Sequence, residues 1–142
     1  LNDSANFRGL VGNGVPAPTL LSIAQQVVLG RIAQSGGDVD AAVGHFEAAV
    51  SLQDTVNYME PPYWYYPVRQ SLGAAYLAAG RADDAERALK ASLIDAPNNG
   101  LALFGLAEVY KAKGDSVAAK YTEDLLSNAW AGERTNLDLS KL

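Results

Sequence analysis

The residues of this chain able to carry chemistry are few and scattered. Its single histidine, His45, stands beside Phe46, and there is no cysteine. That count excludes thiolate catalysis, a disulfide framework and cysteine-ligated zinc. A Ser-His-Asp triad would have to use His45, and no strained nucleophile turn of the G-x-S-x-G type accompanies it. Asp38-Val39-Asp40 lacks the remainder of a calcium loop. Asp83-Asp84-Glu86 reads as acidic residues complementing a helix N-terminus rather than as an acid/base pair. Gly9, Gly12 and Gly14 come in the wrong order for a dinucleotide-binding turn and follow no strand, so they read as a loop. Asn2-Asp3-Ser4 matches a glycosylation sequon, with no secretory signal to support it. The residues therefore predict a protein that is not an enzyme and has no cofactor and no metal centre.

The composition agrees. The 142 residues are 49% hydrophobic and 19% charged, with a mean hydropathy of -0.04, which is too apolar for a disordered tail and too polar for a membrane protein. Eleven basic and sixteen acidic side chains leave a net charge of -5, which argues against nucleic acid or anionic lipid as a partner. The uncharged stretch 9–30 is interrupted by Pro16 and Pro18, and its apolar part, 20–29, is about half of the ~20 residues a membrane span needs. Absence of cysteine suits a reducing cytoplasm. The chain opens with Leu1 rather than Met, as a processed chain or a piece of a longer one would.

What organises these residues is an internal repeat. At a shift of 34, Leu72 falls on Leu106, Gly73 on Ala107, Tyr76 on Tyr110, Gly80 on Gly114 and Ala85 on Ala119. A further copy lies upstream in Leu29, Gly30, Ala33, Gly37, Ala42, Phe46 and Ala49. Its offset is 43, because Gly37 to Gly80 and Ala42 to Ala85 both differ by that amount. The nine extra residues are placed at 57–65. Within each copy the apolar positions recur at helical intervals in two runs, with a glycine where the first run stops. Asp38 and Asp115 follow such glycines and suit the N-cap of the next helix. Helices are predicted at about 19–35, 38–54, 66–79, 82–95, 100–113 and 115–130. Gly30, Gly73 and Ala107 on first helices, with Ala42, Ala85 and Ala119 on second helices, would allow each pair to approach closely.

The period of 34 with L-G-x-x-Y, then Gly, Ala and Pro, resembles the tetratricopeptide repeat, and the likeness covers about 23–133. The copy at 66–99 is the most complete, with Leu72, Gly73, Tyr76, Gly80, Ala85 and Pro97 all in place. The last copy departs from the pattern, with Glu123 at an apolar position and Ala131 in place of the proline. The arrangement also resembles the C-terminal repeats of longer bacterial proteins of this kind. The resemblance implies an all-α fold, an α-α superhelix of three helix-turn-helix repeats with six to seven helices. Residues 1–18 would be a linker or the remnant of a preceding segment, and 19–142 the repeat domain. Its repeats would lie at about 23–56, 66–99 and 100–133, with the insert at 57–65 and an extension at 134–142. Leu137, Leu139 and Leu142 of that extension would cover the last helix pair.

In this family the first helices line a groove that receives a protein or peptide partner. By helical position that lining would be Val27, Arg31 and Gln34, then Gln70, Ala74 and Leu77, then Phe104, Glu108 and Lys111. Arg31, Gln70, Phe104, Glu108 and Lys111 are its candidate binding residues. The lining is mixed in sign, and Arg31 and Lys111 are far apart in sequence, so a clamp for a chaperone-type carboxylate tail is not indicated. The insert is the second candidate surface. Residues 58–66 hold five of the chain's twelve aromatics and surround Pro61 and Pro62. Its rings either fill the gap between two repeats or present Tyr63 and Trp64 to a partner. The alternative to an interaction scaffold is a structural cap of a longer solenoid, or a surface by which the chain forms a homo-oligomer.

Overall fold

The computed structural model describes residues 5–134 and 136–142, and of 5–7 the backbone alone. The sequon at Asn2 lies outside the described residues. Those described form seven α-helices and no strand: α1 Ala5–Gly12, α2 Ala17–Ser35, α3 Val39–Gln53, α4 Val68–Ala78, α5 Ala82–Asp95, α6 Gly100–Ala112 and α7 Ser116–Ala129. A 3-10 turn at Leu139–Lys141 follows. Helices α2 to α7 coincide within two residues with the six predicted from spacing. The seventh, α1, stands where the glycines at 9–14 read as a loop. A helical glycine costs only about 1 kcal/mol relative to alanine, so Gly9 and Gly12 weaken that helix without forbidding it.

Each pair is closed by the same device. Gly37, Gly80 and Gly114 adopt φ of 78°, 72° and 74°, the left-handed conformation a residue without a Cβ takes freely. One residue later, the amides of Asp38, Arg81 and Asp115 donate to the carbonyls of Ala33, Tyr76 and Tyr110 at 2.9, 2.8 and 2.9 Å. Asp38 and Asp115 then cap the helix that follows, accepting from the amides of Ala41 and Ala118. Asn99 caps α6 through the amides of Leu101 and Ala102. Pro67 is the cap of α4, in extended conformation.

Helix α2 packs on α3, α4 on α5 and α6 on α7, and successive pairs stack through α3 against α4 and α5 against α6. Small residues set these distances. A Cβ on Gly30 would lie 2.9 Å from the Phe46 ring, and one on Gly73 would lie 2.5 Å from Cγ of Leu89. The core accordingly runs as a strip. Ile23, Phe46, Val68 and Leu72 fill its first half, Leu89, Leu106 and Val109 its second, and Tyr76 packs against both. Residues 54–67, which include the predicted insert, contain no helix, and Trp64 and Tyr66 pack against the first half of the core.

Candidate functional site

The C-terminal segment turns back across the face that α2, α4 and α6 share. Arg31 on α2 holds it there. One guanidinium nitrogen donates to the carbonyl of Ser140 and to Gln34 Oε1, both at 3.1 Å. The other donates to the hydroxyls of Tyr66 at 2.7 Å and Ser71 at 3.0 Å, and to the main-chain oxygen of Leu142. Both hydroxyls in turn donate to that same oxygen. Three donors, one of them cationic, thus converge on a single oxygen of the chain. Hydrogen bonds from a charged donor are worth about twice neutral ones.

The leucine side chain enters the stack itself. Leu142 is fully buried, and its Cδ2 would lie 2.7 Å from a Cβ placed on Gly105 of α6. Burial of a leucine contributes about 1.5–3 kcal/mol. Gly105 therefore leaves room for the tail, as Gly73 does for Leu89. Arg31 also lies over the face of Phe46, 5.6 Å from the ring centroid, which fixes the guanidinium against the floor of the first pair.

The predicted groove residues divide between two places. Phe104, Glu108 and Lys111 line a cleft of about 460 Å³ whose other side is α7 and Leu137 of the tail. Lys111 bridges Glu108 and Glu123 at 2.8 Å each, and those two carboxylates hold its ammonium above the usual lysine range. Arg31, Phe104, Glu108 and Lys111 thus lie along the path of the tail, from Leu137 at one end to Leu142 at the other. Gln70 does not. It is buried, with Oε1 accepting from Asn99 Nδ2 at 2.9 Å, and it faces the cleft of the insert. The tail was expected over the last helix pair. Leu137 does lie there, whereas Leu142 reaches on to α2 and α4, because Arg31, Tyr66 and Ser71 bind its oxygen.

The aromatic insert encloses a cleft of about 870 Å³, walled by Tyr58, Trp64 and Tyr65 on one side and by the 95–99 connection on the other. Its rings play different parts. Tyr63 and Trp64 are half-buried, whereas Tyr58 and Tyr65 are 86% and 89% exposed. The indole nitrogen of Trp64 and the hydroxyl of Ser92 are buried with no hydrogen-bond partner among the described residues.

The residues with catalytic possibilities are placed in structural roles. His45 Nδ1 lies 2.8 Å from Gln26 Oε1, joining α3 to α2. Asp83 and Glu86 both receive Lys113, the C-cap of α6, at 2.7 and 2.6 Å, and Glu86 also receives Lys90. The two lysines hold the Glu86 carboxyl at about 2, far below its ordinary value. Burial and then the hydrogen bond to Glu47 push the Tyr76 phenol up to about 12. Among the described residues no helix is long and apolar enough to cross a membrane, and no three metal-ligating side chains cluster.

The sequence names Arg31 and sets Leu142 over the last helix pair, without pointing to Tyr66 or Ser71 as its partners. Tyr66 was counted only among the insert aromatics, and Ser71 adjoins the predicted lining without belonging to it. The signal for Leu142 in the sequence is its place as the last of three leucines in the extension. No curated protein matches the chain. Residues 76–122, running from α4 through α5 and α6 into α7, match the family model of the tetratricopeptide repeat, a repeat that generally mediates protein–protein interaction, and that segment is similar to this repeat.

Proposed function

We propose that the chain is a non-enzymatic interaction scaffold whose face of first helices, α2, α4 and α6, binds an extended segment of a partner protein. One observation carries this reading: that face already grips a non-α-helical segment, residues 136–142, by a main-chain oxygen, a carbonyl and a buried aliphatic side chain. Main-chain contacts hold a segment and side-chain pockets select it. Arg31, Phe104, Glu108 and Lys111 are the binding residues on this face. Trp64, with Tyr63 beside it, forms a second surface at the insert, and the buried Gln70 lies beneath the same cleft.

Selection of displayed peptides on the immobilised protein, repeated on Arg31→Gln and on the double variant Phe104→Ala/Lys111→Glu, tests the reading. Enriched segments should lose binding on variants that keep the parental circular dichroism spectrum. Undiminished binding on both would place the site elsewhere. A second reading, a structural segment of a longer solenoid, is favoured by α2, where Leu21, Val28 and Ile32 are exposed on one face. Light scattering across concentration distinguishes the two, since Val28→Glu should abolish association if that face stacks on another copy.

A further inference from the structure

We propose that the cleft of the insert binds a proline-rich, basic segment of a partner protein, held in the polyproline II conformation with one of its carbonyls on the Trp64 indole. The inference rests on the insert being a second binding surface and adds the class of ligand that surface takes. It is independent of the groove between α2, α4 and α6.

The cleft has the volume of a ligand site, about 870 Å³. Tyr58 and Tyr65 stand exposed on one wall, and Pro97 and Leu101 line it from the connection into α6. Such walls suit proline, whose ring packs on aromatic faces and whose fixed φ leaves little to order on binding. Two polar atoms select the backbone. The Trp64 indole nitrogen, which can only donate, and the hydroxyl of Ser92, a residue 2% exposed, are buried with no partner among the described residues. A buried donor left unmet is unfavourable, so a ligand that brings it a carbonyl gains by doing so. A helix uses its carbonyls on its own turns, and a strand needs an edge to pair with, which the described residues do not offer. A polyproline II segment has no internal hydrogen bonds, so its carbonyls are free, and proline brings no N–H for an apolar wall to leave unmet. Both atoms are covered as they stand, so the carbonyl reaches the indole as the Trp64 side chain shifts within the non-helical insert. Charge selects the flanking residue. Glu60 and Asp95 line the cleft, and Asp95 is exposed and joins no ion pair among the described residues. Arg69, which also lines it, is engaged by Asp54 at 2.6 Å. An acidic rim of this kind favours a basic side chain beside the prolines.

The test follows the indole N–H signal of Trp64 by nuclear magnetic resonance, assigned with Trp64→Phe. A decaproline flanked by arginines should shift it saturably, and an unmoved signal would overturn the proposal. A glycine-serine peptide with the same arginines should leave it in place, and an equal shift would overturn the preference for proline. Affinities come from the anisotropy of labelled peptides. Trp64→Phe, which keeps a ring and loses the donor, should weaken decaproline binding about fivefold. Tyr65→Ala, at an exposed position, should weaken it by a similar factor while the circular dichroism spectrum is unchanged. Undiminished binding on both would overturn the cleft as the site. Glutamate flanks should bind about fivefold more weakly than arginine flanks at low salt, and Asp95→Asn should narrow that gap. Equal affinity of the two would overturn the acidic selection. A Trp64 shift with cellohexaose and none with decaproline would overturn the peptide. The double variant Phe104→Ala/Lys111→Glu separates this proposal from the groove. Decaproline binding kept there and lost on Trp64→Phe supports the insert site whatever becomes of the groove. Binding lost there and kept on Trp64→Phe overturns the insert site and supports the groove.

Discussion

At the scale of single residues, two kinds of side chain decide the structure: those that must be absent and those that must be charged. Gly73 is of the first kind. A Cβ there meets Leu89 at 2.5 Å, so Gly73→Leu should overpack the α4–α5 contact and cost about 1–3 kcal/mol or more, measured by urea unfolding. Glu86 is of the second. Its folded-state pKa is depressed to about 2 by Lys113 and Lys90, so its contribution is complete above its ordinary value of 4.5 and is lost as the pH falls toward 2. The parent should therefore be more stable than Glu86→Gln at neutral pH, and the two melting curves should converge as the pH approaches 2. A constant difference across that range would contradict the assignment. The role of Gly73 was legible in advance because small residues recur in register. The Glu86 network was not, since Lys113 is the residue that ends α6, and only the stacking of two pairs brings it to α5.

Among the elements, the helices were readable because each is bounded by residues with a local physical reason to stop or start it. A left-handed glycine and an aspartate cap are properties of neighbouring positions and do not wait on tertiary structure. Asn99 does more than its type announced. It caps α6 through two amides while its Nδ2 donates to Gln70 of α4, so one side chain both starts a helix and ties it to the preceding pair. Asn99→Ala should cost about 0.5–2 kcal/mol for the cap alone. The loss should exceed that of Asp115→Ala, whose carboxylate only caps, and thermal melts of the two variants would compare them. The helix α1 and the path of the tail escaped the sequence reading for opposite reasons. The glycines of α1 concealed a weak helix. The tail obeys contacts 109 to 111 residues away in the chain, which no local pattern encodes.

For the molecule as a whole, the core is a strip whose stability is summed over neighbouring pairs rather than held in one centre. Damage should therefore stay local. Phe46→Ala removes the ring against which Gly30 and Arg31 are set and should cost about 3–5 kcal/mol. Amide exchange should then accelerate in α2 and α3 well before it does in α6 and α7. The same open architecture leaves a long face between first helices, and residues 136–142 lie along it. That occupancy is the central claim, and the absence of cysteine makes it directly measurable. A nitroxide on Ser140→Cys, an exposed position whose carbonyl still meets Arg31, has no native thiol competing for the label. Paramagnetic broadening of the amides around Arg31, Ser71 and Gly105, with α5 spared, is the predicted result. An Arg31 neighbourhood untouched by the label would contradict it.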